Sequence, residues 1–384
     1  MKIGLVCPEY PPGFGGGIGT SVQLLARGLV RAGHTVRVVG VYRARDVRHA
    51  TENDEGVQVT RLAEPTGPLG WVRGRYALWR TVSGWTAAGE LDVVEVPDYQ
   101  GWAAGWRPLA IPVVMRLHGS ASVLAAELGH QLGAQTKFLE RRSLQRADMV
   151  VAVSRYTARR TAEVFGVPEA RRIVYNAVEA GTNGAGQPRD PARVIFVGKL
   201  AAMKGVLSLM RAWRDVAPTR PAAVLHLFGG DGPGVSSGSM QADLAALIPP
   251  DLRASVIFHG RVPREVVLDE LRQATCAVLP SYVESFANAP MEAMSAGCPT
   301  IFTARASGPE LISDGVDGLL VDPDDAGALA GAIGRLLDDA ALAGRIGQAG
   351  LRRIDDAFRV ERMVAESLTV YAESMADLRR RRGM

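Results

Sequence analysis

Short, nearly continuous apolar runs alternate with helix-forming segments along most of the chain, and this alternation limits the folds that it can adopt. The first five runs, rich in β-branched residues, are KIGLVC, HTVRVVGVY, LDVVEVP, IPVVMRLHG and DMVVAVS. Strands of this kind are typical of a parallel sheet that is covered on both faces. Between the first two runs, an apolar stripe at helical spacing comprises Ile18, Val22, Leu25 and Leu29. The sequence therefore predicts βαβ units and an α/β fold with doubly wound parallel sheets.

The alternation is interrupted at VEAGTNGAGQPRDPAR, residues 178–193, where glycine, proline and polar residues dominate. A second series then begins, with the runs RVIFVGKL, AAVLHLFG, SVIFHGRV, TCAVLPS and PTIFTA, and three helical stretches end the chain. A length of 384 residues also favours two domains. We predict an N-terminal Rossmann-like domain over residues 1–178, a linker over 179–192 and a C-terminal Rossmann-like domain over 193–357.

The composition argues against several classes of protein. No apolar run reaches the roughly 18 to 20 residues that a membrane-spanning helix needs, and the N-terminal run, which ends at Pro8, is too short for a signal peptide. The net charge is +4, but no zinc finger, RNP motif or aromatic-interleaved basic stretch indicates nucleic-acid binding. Arginine clusters, including Arg379 to Arg382, either form solvated helix faces or attract anionic lipid head groups. We expect a cytoplasmic protein, either free or peripheral at the inner membrane face.

In open α/β sheets, ligands bind outside the carboxyl ends of the strands, and with two such domains the expected site is the cleft between them. The candidates are therefore polar residues and glycines that follow strands. In the first domain they are Gly16, Gly17, Asp98, Arg116, His118 and Asn176. In the second domain they include Lys199, Lys204, Glu284 and Glu292.

The glycines Gly15 to Gly17 precede the predicted first helix. Amides at such a helix N-terminus would bind a phosphate, and a flexible surface loop is the alternative. A nicotinamide cofactor is disfavoured because the sixth position of G-x-G-x-x-G, counted from Gly13 or Gly15, is Ile18 or Thr20.

His118 follows a strand and precedes a glycine, so it would either face the cleft or be structural. Arg116 lies two residues earlier and points to the same side. Its cation would bind an anionic group of a substrate or form a buried ion pair.

Lys199 and Lys204 flank the turn after RVIFVG. A lysine that opens a helix, as predicted for Lys204, opposes the helix dipole, and a bound diphosphate would explain that placement. Two solvated lysines are the alternative.

The segment YVESFANAPMEAMSAGCP carries Glu284 in the loop after a strand and Glu292 seven residues further along. Pro290 suits the first turn of a helix, so the amides of about Phe286 to Ala289 would lie at its N-terminus. Glu292, also predicted in that first turn, would either cap the helix or bind a vicinal diol such as a ribose. Glu284 would bind a sugar hydroxyl. Together these groups describe a nucleotide-sugar site.

ESFANAPMEAMSAGCP resembles the E-x7-E segment of retaining GT-B glycosyltransferases, family 4 (GT4) in particular. Further blocks follow in the family's order over nearly the whole chain: GGIGT, LHG, YNAVE, VGKLAAMKG, LFGGDGP, FHGRVPREVV and SGPELISDGVDGLLVDPDD. The resemblance implies a GT-B fold, in which two Rossmann-like domains face each other across a cleft. It also implies that the C-terminal domain binds the nucleotide-diphosphate sugar, that the N-terminal domain binds the acceptor, and that the last helix, about 358–382, completes the N-terminal domain.

The resemblance also implies roles for residues of the second domain. Glu292 would bind the ribose hydroxyls and Glu284 the transferred sugar, while Lys199 and Lys204 would neutralise the diphosphate. Arg261 would border the nucleobase. The amides that would contact sugar and phosphate are those of Phe286, Ala287 and Asn288.

In the first domain, Gly16 and Gly17 would let the N-terminal loop approach the diphosphate, and His118 would lie near the anomeric carbon. Three positions depart from the family's common pattern. Lys199 replaces an arginine, Ala287-Asn288 replaces a frequent Phe-Gly, and Arg116 replaces a frequent threonine. The last departure suggests an unusual or anionic acceptor, and Asp98 and Asn176 are further candidates on the acceptor side.

The activity so implied is retaining glycosyl transfer to a hydroxyl of a sugar, a lipid-linked sugar or a small molecule, in polysaccharide, glycolipid or natural-product assembly. We expect no metal or other cofactor, because no metal-binding Asp-x-Asp follows a strand. The alternatives are another GT-B activity, such as a nucleotide-sugar 2-epimerase or a phosphorylase, or a non-catalytic sugar-nucleotide-binding protein. The sequence identifies neither the nucleobase and sugar of the donor nor the acceptor.

Overall fold

A computed structural model describes residues 1–12, 16–47, 50–179 and 189–383 of the chain. The contacts divide it into two compact units, one formed by Met1–Ala177 with Val360–Met384 and the other by Val178–Arg359. Most of the linker predicted over 179–192 lies outside the described residues. The first strand of the second unit begins at Asp190, before the predicted domain start at 193.

The strands are β1 (Lys2–Val6), β2 (Thr35–Tyr42), β3 (Thr51–Asp54), β4 (Val57–Ala63), β5 (Val93–Pro97), β6 (Val113–Leu117), β7 (Met149–Ala152), β8 (Arg172–Ile173), β9 (Asp190–Val197), β10 (Val224–Phe228), β11 (Val256–Gly260), β12 (Ala274–Leu279), β13 (Thr300–Thr303) and β14 (Leu319–Val321). All ten apolar runs predicted as strands therefore form strands. β8 begins the run RIVY, which was predicted as the strand before Asn176, whereas β3, β4 and β14 were not predicted.

The helices are α1 (Gly17–Arg31), α2 (Gly70–Ala87), α3 (Ala121–Glu127), α4 (Ala134–Leu144), α5 (Arg155–Phe165), α6 (Val206–Val216), α7 (Met240–Leu247), α8 (Arg264–Gln273), α9 (Asn288–Ser295), α10 (Gly308–Leu311), α11 (Ala326–Asp338), α12 (Ala340–Ala357) and α13 (Val360–Arg382). None of those in the described ranges combines the length and the apolar character that a bilayer-spanning helix needs.

The first unit contains an eight-stranded sheet in the order β3-β4-β2-β1-β5-β6-β7-β8, parallel except for the β3–β4 pair. That pair is a hairpin whose turn places Glu55 and Gly56 at positive φ, 50° and 91°. In β4 the buried residues alternate with more exposed ones, as expected near the edge of a sheet. Because of this alternation, the hairpin contains no continuous apolar run and was not predicted.

Helix α13 belongs to the first unit because its apolar side packs on α1 and the sheet. Val360, Val364 and Tyr371 share a buried core with Ile3 and residues of α1. A Cβ at Gly28 of α1 would lie 2.7 Å from Val364 and 2.8 Å from Val360. The absence of a side chain at that position lets the two helices approach closely.

The second unit contains a six-stranded parallel sheet in the order β11-β10-β9-β12-β13-β14. Its core includes Phe196, Trp213 and Leu225, all fully buried. Because β9 pairs with both β10 and β12, the loops that follow these three strands meet at one edge of the sheet. These loops carry most of the predicted donor-side residues.

Candidate functional site

The loops after β9, β10 and β12 are joined by main-chain hydrogen bonds. The amide of Leu200 donates to the carbonyl of Gly230 (2.9 Å), and the amide of Tyr282 donates to the carbonyl of Met203 (2.8 Å). The loops therefore form one connected surface at the carboxyl edge of the second sheet, where ligands of α/β proteins bind.

Lys204 and Glu284 form an ion pair on this surface, with 2.6 Å between Nζ and Oε1. The two side chains are 29% and 12% exposed, so the pair is partly desolvated. The prediction that Lys204 opens a helix is wrong. Lys204 ends a 3-10 turn, and Gly205 follows at φ 71°, where a Cβ would lie 1.8 Å from the carbonyl oxygen of Pro280. The tight turn that positions Lys204 beside Glu284 thus requires glycine.

Lys199 lies beside the glycine-rich loop that follows β10. A Cβ at Gly232 would come within 3.2 Å of the Lys199 Cε atom and 2.3 Å of the Leu200 carbonyl oxygen. Lys199 is exposed and, within the described ranges, pairs with no acidic side chain. Its charge therefore remains available to an anion.

Glu292 is the fifth residue of α9, so it does not lie in the first turn as predicted. Its Oε1 accepts a hydrogen bond from the Arg264 guanidinium (2.7 Å between Oε1 and Nε). An ion pair with Arg264 of the neighbouring helix α8 therefore orients this carboxylate, and the predicted role as a helix cap does not apply. Arg264 was not among the predicted residues. It is the second arginine of the block FHGRVPREVV, in which only Arg261 was chosen.

Arg261 follows β11, and its Nε would lie 2.7 Å from a Cβ at Gly230. It is therefore next to the glycine-rich loop. Asn288 is the first residue of α9 and Ala287 its N-cap, which places both at the predicted helix start. The ring of Phe286 is buried against Phe358, with 5.3 Å between ring centroids, so its side chain anchors the loop.

On the first unit, His118 and Asp98 follow the neighbouring strands β6 and β5. Asp98 Oδ1 accepts a hydrogen bond from the amide of His118 (2.9 Å), and Oδ2 accepts one from the amide of Gly119 (3.2 Å). Burial raises the pKa of Asp98 to about 7, the amide of His118 acts to lower it, and the charge of Glu140 adds to the increase. Both carboxylate oxygens serve the loop that carries His118. The prediction that Asp98 contacts an acceptor is therefore corrected: it is a positioning residue.

Glu140 of α4 is a second buried carboxylate that fixes this region. It accepts hydrogen bonds from the amides of Gln100, Ala121 and Ser122, each at 3.0 Å. Sequence reasoning missed it because it does not follow a strand, and no local pattern distinguishes it from a surface glutamate on a helix.

Burial and, to a smaller extent, the charge of Arg116 lower the pKa of His118 to about 3. The imidazole is therefore neutral throughout the physiological range. The unfolded chain takes up a proton near pH 6.5 that the folded protein refuses until about pH 3, so this residue makes the protein less stable as the pH falls between those values.

The free energy of unfolding of the wild type is expected to fall between pH 6.5 and about pH 5. We expect this decrease to be about 1 to 2 kcal/mol smaller in His118→Gln. The measurement is urea denaturation of both proteins at the two pH values. Parallel curves for the variant and the wild type would contradict a neutral, buried imidazole.

Arg116 forms a buried ion pair with Glu95 (2.8 Å between Nε and Oε1), with side chains 3% and 4% exposed. Its Nη2 also donates to Ser367 Oγ (2.9 Å), and the hydroxyl of Tyr371 donates to Glu95 Oε2 (2.8 Å). Of the two predicted interpretations, the structure shows the ion pair. Because the guanidinium is occupied within the core, the prediction that Arg116 binds an anionic acceptor is corrected.

Gly16 and Gly17 lie at the start of α1, as predicted. The amide of Gly16 donates to Glu9 Oε2 (3.2 Å), and burial raises the pKa of this carboxyl although the Gly16 hydrogen bond lowers it. A carboxylate therefore occupies part of the helix N-terminus to which the prediction assigned a phosphate. Gly13 to Gly15 lie outside the described residues. Glu9 was not predicted, although it follows β1 within CPEYPPG.

Asn176 is buried three residues after β8. Its assignment to the acceptor side remains a prediction. Within the described ranges, no three or more histidine, cysteine or acidic side chains are grouped so as to hold a metal ion.

Comparisons with known proteins agree with this arrangement of two sheets. Residues 15–181 match the family model described as Glycosyltransferase Family 4, and residues 191–339 match the model described as Glycosyl transferases group 1. An uncharacterized glycosyltransferase of Methanocaldococcus jannaschii is 26% identical, with 98% of this chain and 99% of the relative covered. A glycogen synthase of Mycobacterium tuberculosis is 28% identical, with 97% and 94% covered.

Two solved structures are similar in fold. Sucrose-phosphate synthase from Thermosynechococcus elongatus has a TM-score of 0.80 at 24% identity, over 97% of this chain and 99% of the other. Anabaena HepE, solved in complex with UDP and glucose, has a TM-score of 0.71 at 18% identity, over 96% and 99%. The two family matches together span both units, and the chain therefore belongs to family 4 of the glycosyltransferases, as an enzyme of GT-B fold with two Rossmann-like parallel-sheet domains.

Proposed function

We propose that this glycosyltransferase moves a sugar from a nucleotide-diphosphate sugar to a hydroxyl acceptor, with retention at the anomeric carbon and without a metal ion. The observation that carries the proposal is the Lys204–Glu284 pair at the carboxyl edge of the second sheet, where Lys199 lies beside the glycine-rich loop after β10. A cation for the diphosphate and an acceptor of hydroxyl hydrogen bonds lie together there. The acceptor would belong to polysaccharide, glycolipid or natural-product glycoside assembly.

In the proposed step, the bond between the anomeric carbon and the leaving phosphate oxygen breaks, and its electron pair remains on that oxygen. The acceptor hydroxyl oxygen forms the new bond to the carbon, and its proton passes to a phosphate oxygen. Lys204 and Lys199 would stabilise the charge that develops on the diphosphate. When the diphosphate binds Lys204, the Glu284 carboxylate would be released to accept hydrogen bonds from the donor sugar.

His118 would contribute a neutral imidazole, because its pKa of about 3 keeps it uncharged at the pH of the cell. It would exchange a hydrogen bond with a substrate hydroxyl. A protonated histidine acting as a general acid does not fit this environment.

Turnover tests the proposal when each donor is assayed with and without an acceptor. UDP-glucose is the first donor to use, because HepE was solved with UDP and glucose; the GDP, ADP and dTDP sugars follow, with a rise in Tm as the sign of binding. We expect transfer with retained anomeric configuration and equal rates in EDTA and in Mg²⁺. Inversion of configuration, or loss of activity in EDTA, would refute the corresponding part of the proposal. Isomerised donor in the absence of an acceptor would indicate a 2-epimerase.

Replacing the proposed ribose ligand is expected to weaken donor binding without unfolding the protein. We predict that Glu292→Gln raises the Kd for the nucleoside diphosphate by about 10- to 100-fold, since a hydrogen bond to a charged group contributes about 1.5 to 3 kcal/mol. Titration calorimetry measures the effect, and the control is Glu265→Gln, an exposed glutamate at the start of α8. Equal Kd values for the two variants would remove Glu292 from the site.

A further inference from the structure

A groove on the first unit is formed by α2, α4 and the loop after β5. Its volume is about 480 Å³, within the range of about 300 to 1,000 Å³ typical of small-molecule sites. Five aromatic residues line this aromatic groove, namely Trp71, Tyr76, Trp79, Trp106 and Phe138. None of them has a role in the donor site described above.

Three of the rings are largely open to water: Trp71 is 41%, Tyr76 59% and Phe138 61% exposed. The neighbouring Leu69 and Val72 are exposed as well. A cluster of large apolar side chains that stays in contact with water marks a binding surface, because covering it is favourable. The ligand of this groove therefore has an apolar part.

Two indole groups in the groove have buried N–H donors. Trp79 Nε1 and Trp106 Nε1 have no hydrogen-bond partner among the described residues, and Trp106 as a whole is 2% exposed. Buried donors in folded proteins are nearly always paired. Both nitrogens are shielded from solvent, so these donors by themselves do not indicate a ligand.

The charged side chains that line the groove are all basic, namely Arg75, Arg107 and Arg142. Helices α2 and α4 carry six basic residues, namely Arg73, Arg75, Arg80, Lys137, Arg141 and Arg142. Glu140, the one acidic residue of these two helices, is buried and occupied by main-chain amides. Within the described part of the chain, none of the six forms an ion pair with an acidic side chain. The ligand is therefore expected to carry a negative charge as well as an apolar part.

The groove shares its framework with the loop of His118. Arg75 donates to the carbonyls of Gly101 (3.1 Å) and Gln100, which come three and two residues after Asp98. Glu140 joins Gln100 to Ala121, three residues after His118. A ligand in the groove would thus contact the same framework that holds the His118 loop.

We propose that the aromatic groove binds an anionic amphiphile, with its apolar chain against the rings and its phosphate on the arginines, and that this amphiphile is the acceptor in lipid-linked form. The second part rests on the proposed function, because it requires a glycosyl acceptor. The first part concerns binding alone.

Titration with dodecyl phosphate below its critical micelle concentration tests the proposal, with tryptophan fluorescence as the readout. The test variants are the double substitution Tyr76→Ala with Phe138→Ala, and the double substitution Arg107→Gln with Arg142→Gln. Both act on exposed side chains, so folding is expected to persist. The control is Val316→Ala in the second unit, where an equally exposed apolar side chain is removed. Dodecyl maltoside supplies the same tail without charge, and inorganic phosphate supplies the head without the tail.

We expect saturable binding of dodecyl phosphate to the wild type and the control with equal Kd, at least about ten-fold weaker binding to each double variant, and weaker binding of both comparison ligands. Binding that is absent from the wild type, or unchanged in both double variants, would overturn the proposal. Binding to anionic vesicles without binding of monomeric dodecyl phosphate would also overturn the proposal and would indicate a membrane-contacting surface. The Tm shift with a sugar nucleotide, recorded on the same samples, tests the donor site separately.

Discussion

Replacing Lys204 with alanine is expected to lower the rate of glycosyl transfer by roughly 100- to 1,000-fold, the effect typical of removing one donor to a developing oxyanion. The Nζ atom lies 2.6 Å from Glu284 Oε1 at the edge where the donor is proposed to bind. Without the ammonium group, the departing diphosphate loses a fixed positive charge. The loss is expected in kcat as well as in kcat/KM, because the charge on the leaving group grows in the transition state.

Two further variants make the experiment on Lys204 specific. Lys204→Arg retains the charge and is expected to retain more activity than the alanine variant. Lys2→Ala removes a lysine of the first unit, whose Nζ donates to the carbonyl of Gly89, and is expected to leave turnover unchanged. A Lys204→Ala enzyme within two-fold of the wild type, with an unchanged Tm, would show that this lysine does not stabilise the leaving group.

The second large effect is expected on stability. Arg116→Met should lower the free energy of unfolding by about 3 to 5 kcal/mol, because it leaves the Glu95 carboxylate buried without its cation. Ser367 Oγ loses its donor in the same step. Urea denaturation measures the change, and the double variant Arg116→Met with Glu95→Leu is expected to recover most of it, since an apolar pair leaves no buried charge.

An exposed ion pair provides the control for Arg116. Arg159 and Glu163 pair on α5, with 3.8 Å between Nε and Oε1, and their side chains are 61% and 47% exposed. Arg159→Met is expected to cost less than about 1 kcal/mol. Equal destabilisation by Arg116→Met and Arg159→Met would contradict the burial of the Arg116–Glu95 pair.

The two sheets were predictable because each strand buried on both faces leaves a continuous apolar run, and because the break after residue 178 separates two series of runs. The β3–β4 hairpin was missed since its residues alternate between buried and exposed positions. The last helix of the chain was predicted at about 358–382, and α13 spans Val360–Arg382.

The candidate site was predictable only in part. The positions of Lys204 and Glu284 followed from the rule that functional groups lie at strand ends, but their mutual contact was not predicted. Arg116 also lies near a strand end, but its partner Glu95 is hydrogen-bonded to Tyr371, which is 276 residues away from Glu95 in the sequence. Local patterns carry no information on such partners, so a buried ion pair and a substrate-binding cation look alike in the sequence.

Diffraction from crystals soaked with a nucleotide-diphosphate sugar tests the donor site most directly. We predict density for the diphosphate within about 4 Å of the Lys204 ammonium group, with a separate contact from Glu292 to the ribose. A diphosphate bound elsewhere on the molecule, with the Lys204–Glu284 ion pair unbroken and no ligand bound to it, would contradict the donor site assigned to the second unit.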